Sequence, residues 1–199
     1  MWKMLPQALK AAVVFMVFFT FLCGAVYPVF VTGIGQLFFP HRVDGSLIRL
    51  HGEAVGSRLI GQPFRSPGYF WSRPSDTAPF PYNAENSGAS NLGPSNPLLR
   101  AHIEKRIRQL IRWNPTSQEP VPVDLVTSSA SGLDPDISPA AALYQIQRIS
   151  RIRHLSKQVL ATLVRQHIRG RTWGIFGAPR VNVLMLNISL GRLLKNRKP

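Results

Sequence analysis

Residues 11–31 read AAVVFMVFFTFLCGAVYPVFV, and from Ala11 to Pro40 the chain carries no Asp, Glu, Lys, Arg or His. A helix needs about 20 apolar residues to cross the hydrocarbon core of a bilayer, and this run supplies them. Lys3 and Lys10 flank one end, and His41 and Arg42 follow the other. Tyr27 and the Phe38-Phe39 pair suit an interfacial aromatic belt. A cleaved signal peptide would have a shorter apolar core ending at a small-residue site; here the run continues past any such site, so the reading is an uncleaved membrane anchor. Lys3, Lys10 and the N-terminal amine favour a cytoplasmic N-terminus, with Arg42, Arg49 and Arg58 pulling mildly the other way. Thr20 and Gly24 form a small-xxx-small pair of the kind that lets a partner helix approach; ordinary composition explains the pair equally well. Pro28 is expected to interrupt the helix near its far end.

Outward from this run, the other residues are polar and strongly basic. The 199 residues hold 24 Lys and Arg against 9 Asp and Glu, a formal charge of +15. Such an excess points to an anionic partner, and beside a membrane segment that means lipid headgroups or an acidic protein surface rather than nucleic acid. The single cysteine, Cys23, lies inside the apolar run, so no intramolecular disulfide can form.

The part beyond the anchor reads as one small α+β domain. Short apolar stretches between Gly45, Gly52 and Gly56 over 44–60 suggest brief strands and turns. Residues 61–97 contain seven prolines, yet also Phe64, Tyr69, Phe70, Trp71, Phe80 and Tyr82. Disordered segments are poor in aromatics, so an ordered irregular loop is expected, and a loop this long is usually functional. Its aromatics serve either to dock a partner or to close the domain's own core. Asn96-Pro97 opens a helix to Trp113, Ser138-Pro139 a second, and Ser156 a third stopped near Gly170. VPVDLVT at 121–127 alternates like a strand, and so does the segment 181–190, with Leu184, Leu186, Ile188 and Leu190 on one side.

Chemistry-bearing motifs are sparse. The chain has no phosphate-binding GxxxxGK[ST] loop, no Asp in an Asp-Lys-Thr-Gly setting and no Gly-x-Ser-x-Gly elbow. The histidines lack metal-ligand spacing, and Asp134 and Asp136 read as turn residues. Basic helix faces at Arg100–Arg112 and Arg148–Arg171 read as solvated surfaces. These readings describe a non-catalytic chain. Two function classes stay open: a transporter subunit without an active site, or a membrane-anchored extracytoplasmic binding protein for an anionic envelope ligand.

The order of segments YPVFVTGIGQLFFP, GSLI, GSRLIGQPF, YFWSRPSDT, PYNAENSGASNLGPSNP, VPVDLVTSSASGLDPDISPAAALYQI and PRVNVLMLNISL resembles the C subunit of the Kdp-type potassium-transporting ATPase along nearly the whole chain. The resemblance implies an accessory subunit of a high-affinity, ATP-driven potassium uptake complex in the inner (plasma) membrane. Its partners would be a channel-like potassium-translocating subunit, a P-type ATP-hydrolysing subunit and a small single-helix subunit. ATP and potassium would be handled by that complex, with no cofactor bound by this chain alone. The implied layout is a cytoplasmic N-terminus at 1–10, a membrane helix at 11–31 and an extracytoplasmic domain at 32–199. The implied roles are assembly and stability, and a catalytic-chaperone action raising the ATP affinity of the pump subunit. On this reading Thr20, Gly24, Tyr69, Phe70, Trp71, Arg73, Asn83, Asn91 and Asn96 are candidate partner-contact or loop-shaping residues, and Gln145 is the candidate nucleotide-related residue. The sequence departs from the family pattern at Trp71-Ser72, where Gly usually precedes Arg-Pro-Ser, and at Met185, where an acidic residue is common.

Overall fold

A computed structural model describes residues 5–115, 117 and 119–195; Lys3 lies outside the described residues. Two compact units divide near Leu47.

The first unit is one long apolar helix. Helix α1 (Leu5–Phe21) passes through a π-turn at Leu22–Val26 into α2 (Tyr27–Phe38) without a break. The continuous stretch Pro6–Phe38 is long and apolar enough to cross a membrane, and none of it is buried within the chain. At about 1.5 Å per residue it exceeds the roughly 30 Å of a hydrocarbon core. Pro28 does not interrupt it, contrary to the sequence expectation. Ahead of Pro28 the helix widens: the Tyr27 N–H donates to the Leu22 carbonyl, one residue further back than in an α-helix. Pro28 lacks an N–H and its ring crowds the preceding turn; the wide turn takes up that misfit. The helix ends in a folded-back turn, α3 (Pro40–Val43). The Phe39 N–H donates to the Gly35 carbonyl at 2.7 Å, and a Cβ on Gly35 would come within 2.8 Å of a Val43 methyl. Any larger residue there would force the Val43 side chain to shift.

The second unit is the α+β domain. Strands β1 (Leu47–Leu50) and β2 (Glu53–Ser57) form a hairpin whose turn places His51 and Gly52 at positive φ, the geometry of tight two-residue connections. A second, antiparallel sheet has the order β3 (Asp136–Ile137), β5 (Arg180–Asn182), β4 (Ile168–Arg169), with Ile137 and Ile168 both opposite Val181. Around it lie α4 (Pro97–Trp113), α5 (Pro139–Tyr144), α6 (Ile146–Arg153), α7 (Lys157–His167) and α8 (Val183–Lys195). Val181, Leu160, Val164, Ile149, Leu186 and Leu190 form the fully buried centre. The three expected helix starts are capped as read: Asn96, Ser138 and Ser156 accept from Leu98, Ala141 and Gln158 N–H groups, which satisfies donors that a helix start leaves open.

Two expected strands are corrected. Residues 121–127 contain a 3₁₀ turn at Val123–Leu125; Pro120 and Pro122 remove the donors a ladder needs. The Asp124 carboxylate accepts from the Ser138 N–H and hydroxyl at 2.7 and 3.1 Å. The segment 181–190 is strand only to Asn182, then helix. Asn182 is the switch, its side-chain oxygen accepting from the Met185 N–H at 3.1 Å as an N-cap. Val183, Leu186, Asn187 and Leu190 are buried at helical spacing, although Leu184, Leu186, Ile188 and Leu190 of the same segment alternate with a period of two.

Candidate functional site: the clasped aromatic loop

The loop 61–97 has no strand or helix before Pro97, so its backbone polar groups need partners from elsewhere. Side chains supply them. The Phe70 N–H donates to Asn187 Oδ1, and Asn187 Nδ2 donates to the Phe70 carbonyl, both at 2.9 Å. At the next residue the Trp71 N–H donates to Gln145 Oε1 at 2.7 Å, and Gln145 Nε2 donates to the Trp71 carbonyl at 3.1 Å. Two side-chain amides, one from α8 and one from the α5–α6 junction, thus do for the loop what a neighbouring strand does in a sheet.

Arg148 closes the arrangement. It is almost fully buried and lies over the Trp71 ring, with 3.8 Å from guanidinium carbon to ring centroid, a desolvated cation–π contact. It also donates to the Tyr69 carbonyl at 2.9 Å, to Gln145 Oε1 at 2.6 Å and to the Pro67 carbonyl. Burial pushes its pKa down to about 9, so the guanidinium keeps its charge at neutral pH. Arg153 repeats the motif over Tyr69, 4.7 Å from the ring centroid, and donates to the Gly68 carbonyl at 3.0 Å.

Further along, Arg73 pairs with Asp134 at 3.1 Å and donates to the Ser128 carbonyl. Arg106 of α4 pairs with Asp76 at 2.6 Å. The Tyr82 hydroxyl donates to the Arg73 carbonyl, and burial raises the Tyr82 pKa to about 12. Thr77 accepts from the Asn83 N–H at 2.9 Å, while Asn83 donates to the Ala78 carbonyl and accepts from the Glu85 N–H. Between loop and α4 lies a hollow of about 450 Å³ bordered by Phe64, Arg65, Trp71, Arg73, Tyr82 and Arg106.

The predicted residues therefore take distinct places. Phe70 is wholly buried, and its ring lies in the domain's own core. Tyr69, Trp71 and Arg73 are half-buried, so each keeps an open edge. Asn83 is a buried loop brace, exposed Asn91 sits at a φ of 53°, and Asn96 caps α4. Gln145 is fully buried with its amide engaged inside the domain. Thr20 and Gly24 lie on the exposed helix, and nothing stands within 4 Å of a Cβ built on Gly24. Among the described residues no group of three or more His, Cys, Asp or Glu side chains is placed to hold a metal ion.

Sequence reading missed Arg148 and Asn187, and placed Arg148 on a solvated face. A signal existed: Ala141, Gln145 and Arg148 share the face that also carries buried Ala142 and Ile149, so two polar residues occupy core positions. A polar residue at a core position has a hydrogen-bonding task.

Residues 9–192 match the family model for the K+-transporting ATPase c chain, KdpC. The Potassium-transporting ATPase KdpC subunit of Methylococcus capsulatus is 53% identical over 184 residues, covering 92% of this chain and 97% of that protein. The subunit of the same name from Dechloromonas aromatica is 52% identical over 187 residues, covering 94% and 98%. A match of this extent, spanning anchor, clasped loop and α8 alike, places the chain in the KdpC family of K+-transporting ATPase c chains.

Proposed function

We propose that the chain is a non-catalytic accessory subunit of an ATP-driven potassium uptake complex, holding a channel-like subunit and an ATP-hydrolysing subunit together. The observation that carries this reading is the family match over residues 9–192, and the layout agrees with it. The apolar helix has no buried face of its own, as suits a helix that packs against other membrane helices. Gly24 offers one of them a close approach. The domain sits on the extracytoplasmic side, with the N-terminus in the cytoplasm of an inner membrane. The half-buried edges of Tyr69, Trp71 and Arg73, with the exposed ring of Phe80 from the same loop, form the contact on the channel-like subunit. Proline-restricted backbone leaves little ordering entropy to oppose such docking. In this reading the domain acts by steadying the complex. An effect on ATP affinity, if the complex shows one, passes through subunit contacts rather than through Gln145.

The test is co-purification. With a tag on the channel-like subunit, this chain and the ATP-hydrolysing subunit should elute together from detergent. Cells lacking the chain should fail to grow when potassium is scarce and recover when it is supplied again in full length. Normal growth and an intact ATP-hydrolysing assembly without the chain would overturn the proposal.

A further inference from the structure

Every residue from Arg169 to Pro179 is exposed, yet the segment is folded. Thr172 and Phe176 pair across a tight hairpin, N–H to carbonyl in both directions at 2.9 and 3.0 Å, and the Ile175 N–H closes the turn on the Thr172 carbonyl. Trp173 and Gly174 both have positive φ, 53° and 76°, the pattern of a type I′ turn. Tryptophan at such an angle is rare and costs energy. What the strained turn achieves is display: Trp173 is 86% exposed, Ile175 70% and Phe176 60%. The Trp173 and Phe176 rings brace one another edge to face at 6.0 Å.

The stretch of sequence that carries this tip is one-sided in charge. Half of the chain's 24 Lys and Arg, and none of its 9 Asp and Glu, lie after Asp136. Arg169 and Arg171, at the base of the hairpin, are exposed and pair with no carboxylate among the described residues. Arg180 is taken by Asp136 at 3.2 Å.

We infer that the hairpin Arg171–Gly177 is a second membrane contact, with Trp173, Ile175 and Phe176 seated among the headgroups of an anionic bilayer and Arg169 and Arg171 on its phosphates. This rests on the reading that the helix Pro6–Phe38 spans the same bilayer. Tryptophan favours the interfacial layer, where its ring is partly apolar and its N–H meets water or headgroup oxygens. Basic residues beside a small apolar insertion add attraction to acidic lipid. Three side chains would hold a free protein on a membrane only weakly. Here the anchor keeps the bilayer permanently at hand, and a tethered second contact needs little affinity of its own. The free guanidinium groups decide against an apolar pocket on a protein, which would leave them without anions unless it were rimmed with carboxylates.

The experiment uses the full chain in vesicles with brominated acyl chains, made either of phosphatidylglycerol and phosphatidylcholine or of phosphatidylcholine alone. Vesicle flotation reports the anchor; quenching of tryptophan emission, wild type minus Trp173→Phe, reports the tip. In the anionic vesicles a Trp173 component should be quenched. It should fall about twofold or more in neutral vesicles, in about 1 M salt where exposed charges are screened, or in the Arg169→Gln/Arg171→Gln variant. Trp173 is exposed, so Trp173→Phe should leave the far-ultraviolet dichroism unchanged. Equal quenching of wild type and Trp173→Phe with normal flotation would overturn the tip and leave the anchor standing. Loss of flotation would overturn the anchor and the inference with it. Quenching indifferent to lipid charge, or protection of Trp173 only when the other subunits of the complex are added, also overturns it, the second outcome in favour of a protein pocket.

Discussion

The side-chain amide of Gln145 grips both backbone polar groups of Trp71, oxygen to N–H at 2.7 Å and nitrogen to carbonyl at 3.1 Å, across 74 residues of sequence. Its oxygen also accepts from Arg148 at 2.6 Å. One carboxamide therefore ties the aromatic loop, the α5–α6 junction and a buried cation into a single unit.

Gln145→Ala should destabilise the chain by about 2–4 kcal/mol, because it strands two loop backbone groups and removes one acceptor of a buried guanidinium. Gln145→Glu keeps the acceptor for Trp71 N–H and Arg148 but loses the donor to the Trp71 carbonyl, and should cost less. Thermal unfolding of the detergent-solubilised chain measures both. If complexes that survive assembly bind ATP as tightly with either variant as with wild type, Gln145 is an internal brace; a loss of ATP affinity at unchanged stability would restore a nucleotide role to it.

Phe70 and Phe80 should part company. Phe70 is buried, and truncating a buried phenylalanine costs about 3–5 kcal/mol, so Phe70→Ala should lower the unfolding temperature sharply or abolish accumulation. Phe80 is exposed, and Phe80→Ala should leave unfolding within about 0.5 kcal/mol of wild type while weakening co-purification with the channel-like subunit. Equal thermal effects of the two variants would refute the division of the loop into a core side and an outer side.

Tyr82 gives an alkaline signature. Burial raises its pKa to about 12 from the ordinary value of 10. The folded state therefore holds this proton where the unfolded chain releases it. The associated stability is complete below pH 10 and is lost as pH rises from 10 towards 12. Phenolate absorbance should show a late-titrating step that Tyr82→Phe removes. A step-free difference between the two proteins would contradict the burial described here.

Gly24→Leu should leave membrane insertion intact, since leucine favours the hydrocarbon core, and should weaken recovery of the other subunits if a partner helix packs at this face. Undiminished recovery would assign the Thr20–Gly24 pair to ordinary helix composition.

Much of the fold was legible because the deciding signals are local. An uncharged run of membrane length, and Asn96, Ser138 and Ser156 ahead of apolar periods, each act within a few residues. The strand expectations failed where two periods fit the same letters. In 181–190 the alternation of Leu184, Leu186 and Ile188 is genuine, yet Asn182 caps a helix and the register of Val183, Leu186 and Leu190 wins. In 121–127 the prolines were the better guide. The loop was legible as ordered, from its aromatics, but its inner and outer faces were not. Burial of Phe70 rather than Phe80 depends on Asn187, 117 residues away, and no local pattern carries that. The tip at Trp173–Phe176 went unread because a turn that displays its apolar residues has the same composition as one that hides them.

The loop's dependence on borrowed partners sets an order of events. A hairpin can form from its own residues, but the backbone groups of Phe70 and Trp71 wait for Gln145 and Asn187 until α5, α6 and α8 have been made and brought together. Contacts of such long sequence separation are slow to form, so the segment proposed as the partner contact should be among the last parts of the domain to settle. A chain interrupted before α8 would lack Asn187 and leave both backbone polar groups of Phe70 without their partner. Completion of α8 thereby becomes a condition for presenting the proposed docking surface, and an unfinished subunit would have no finished face to offer a complex.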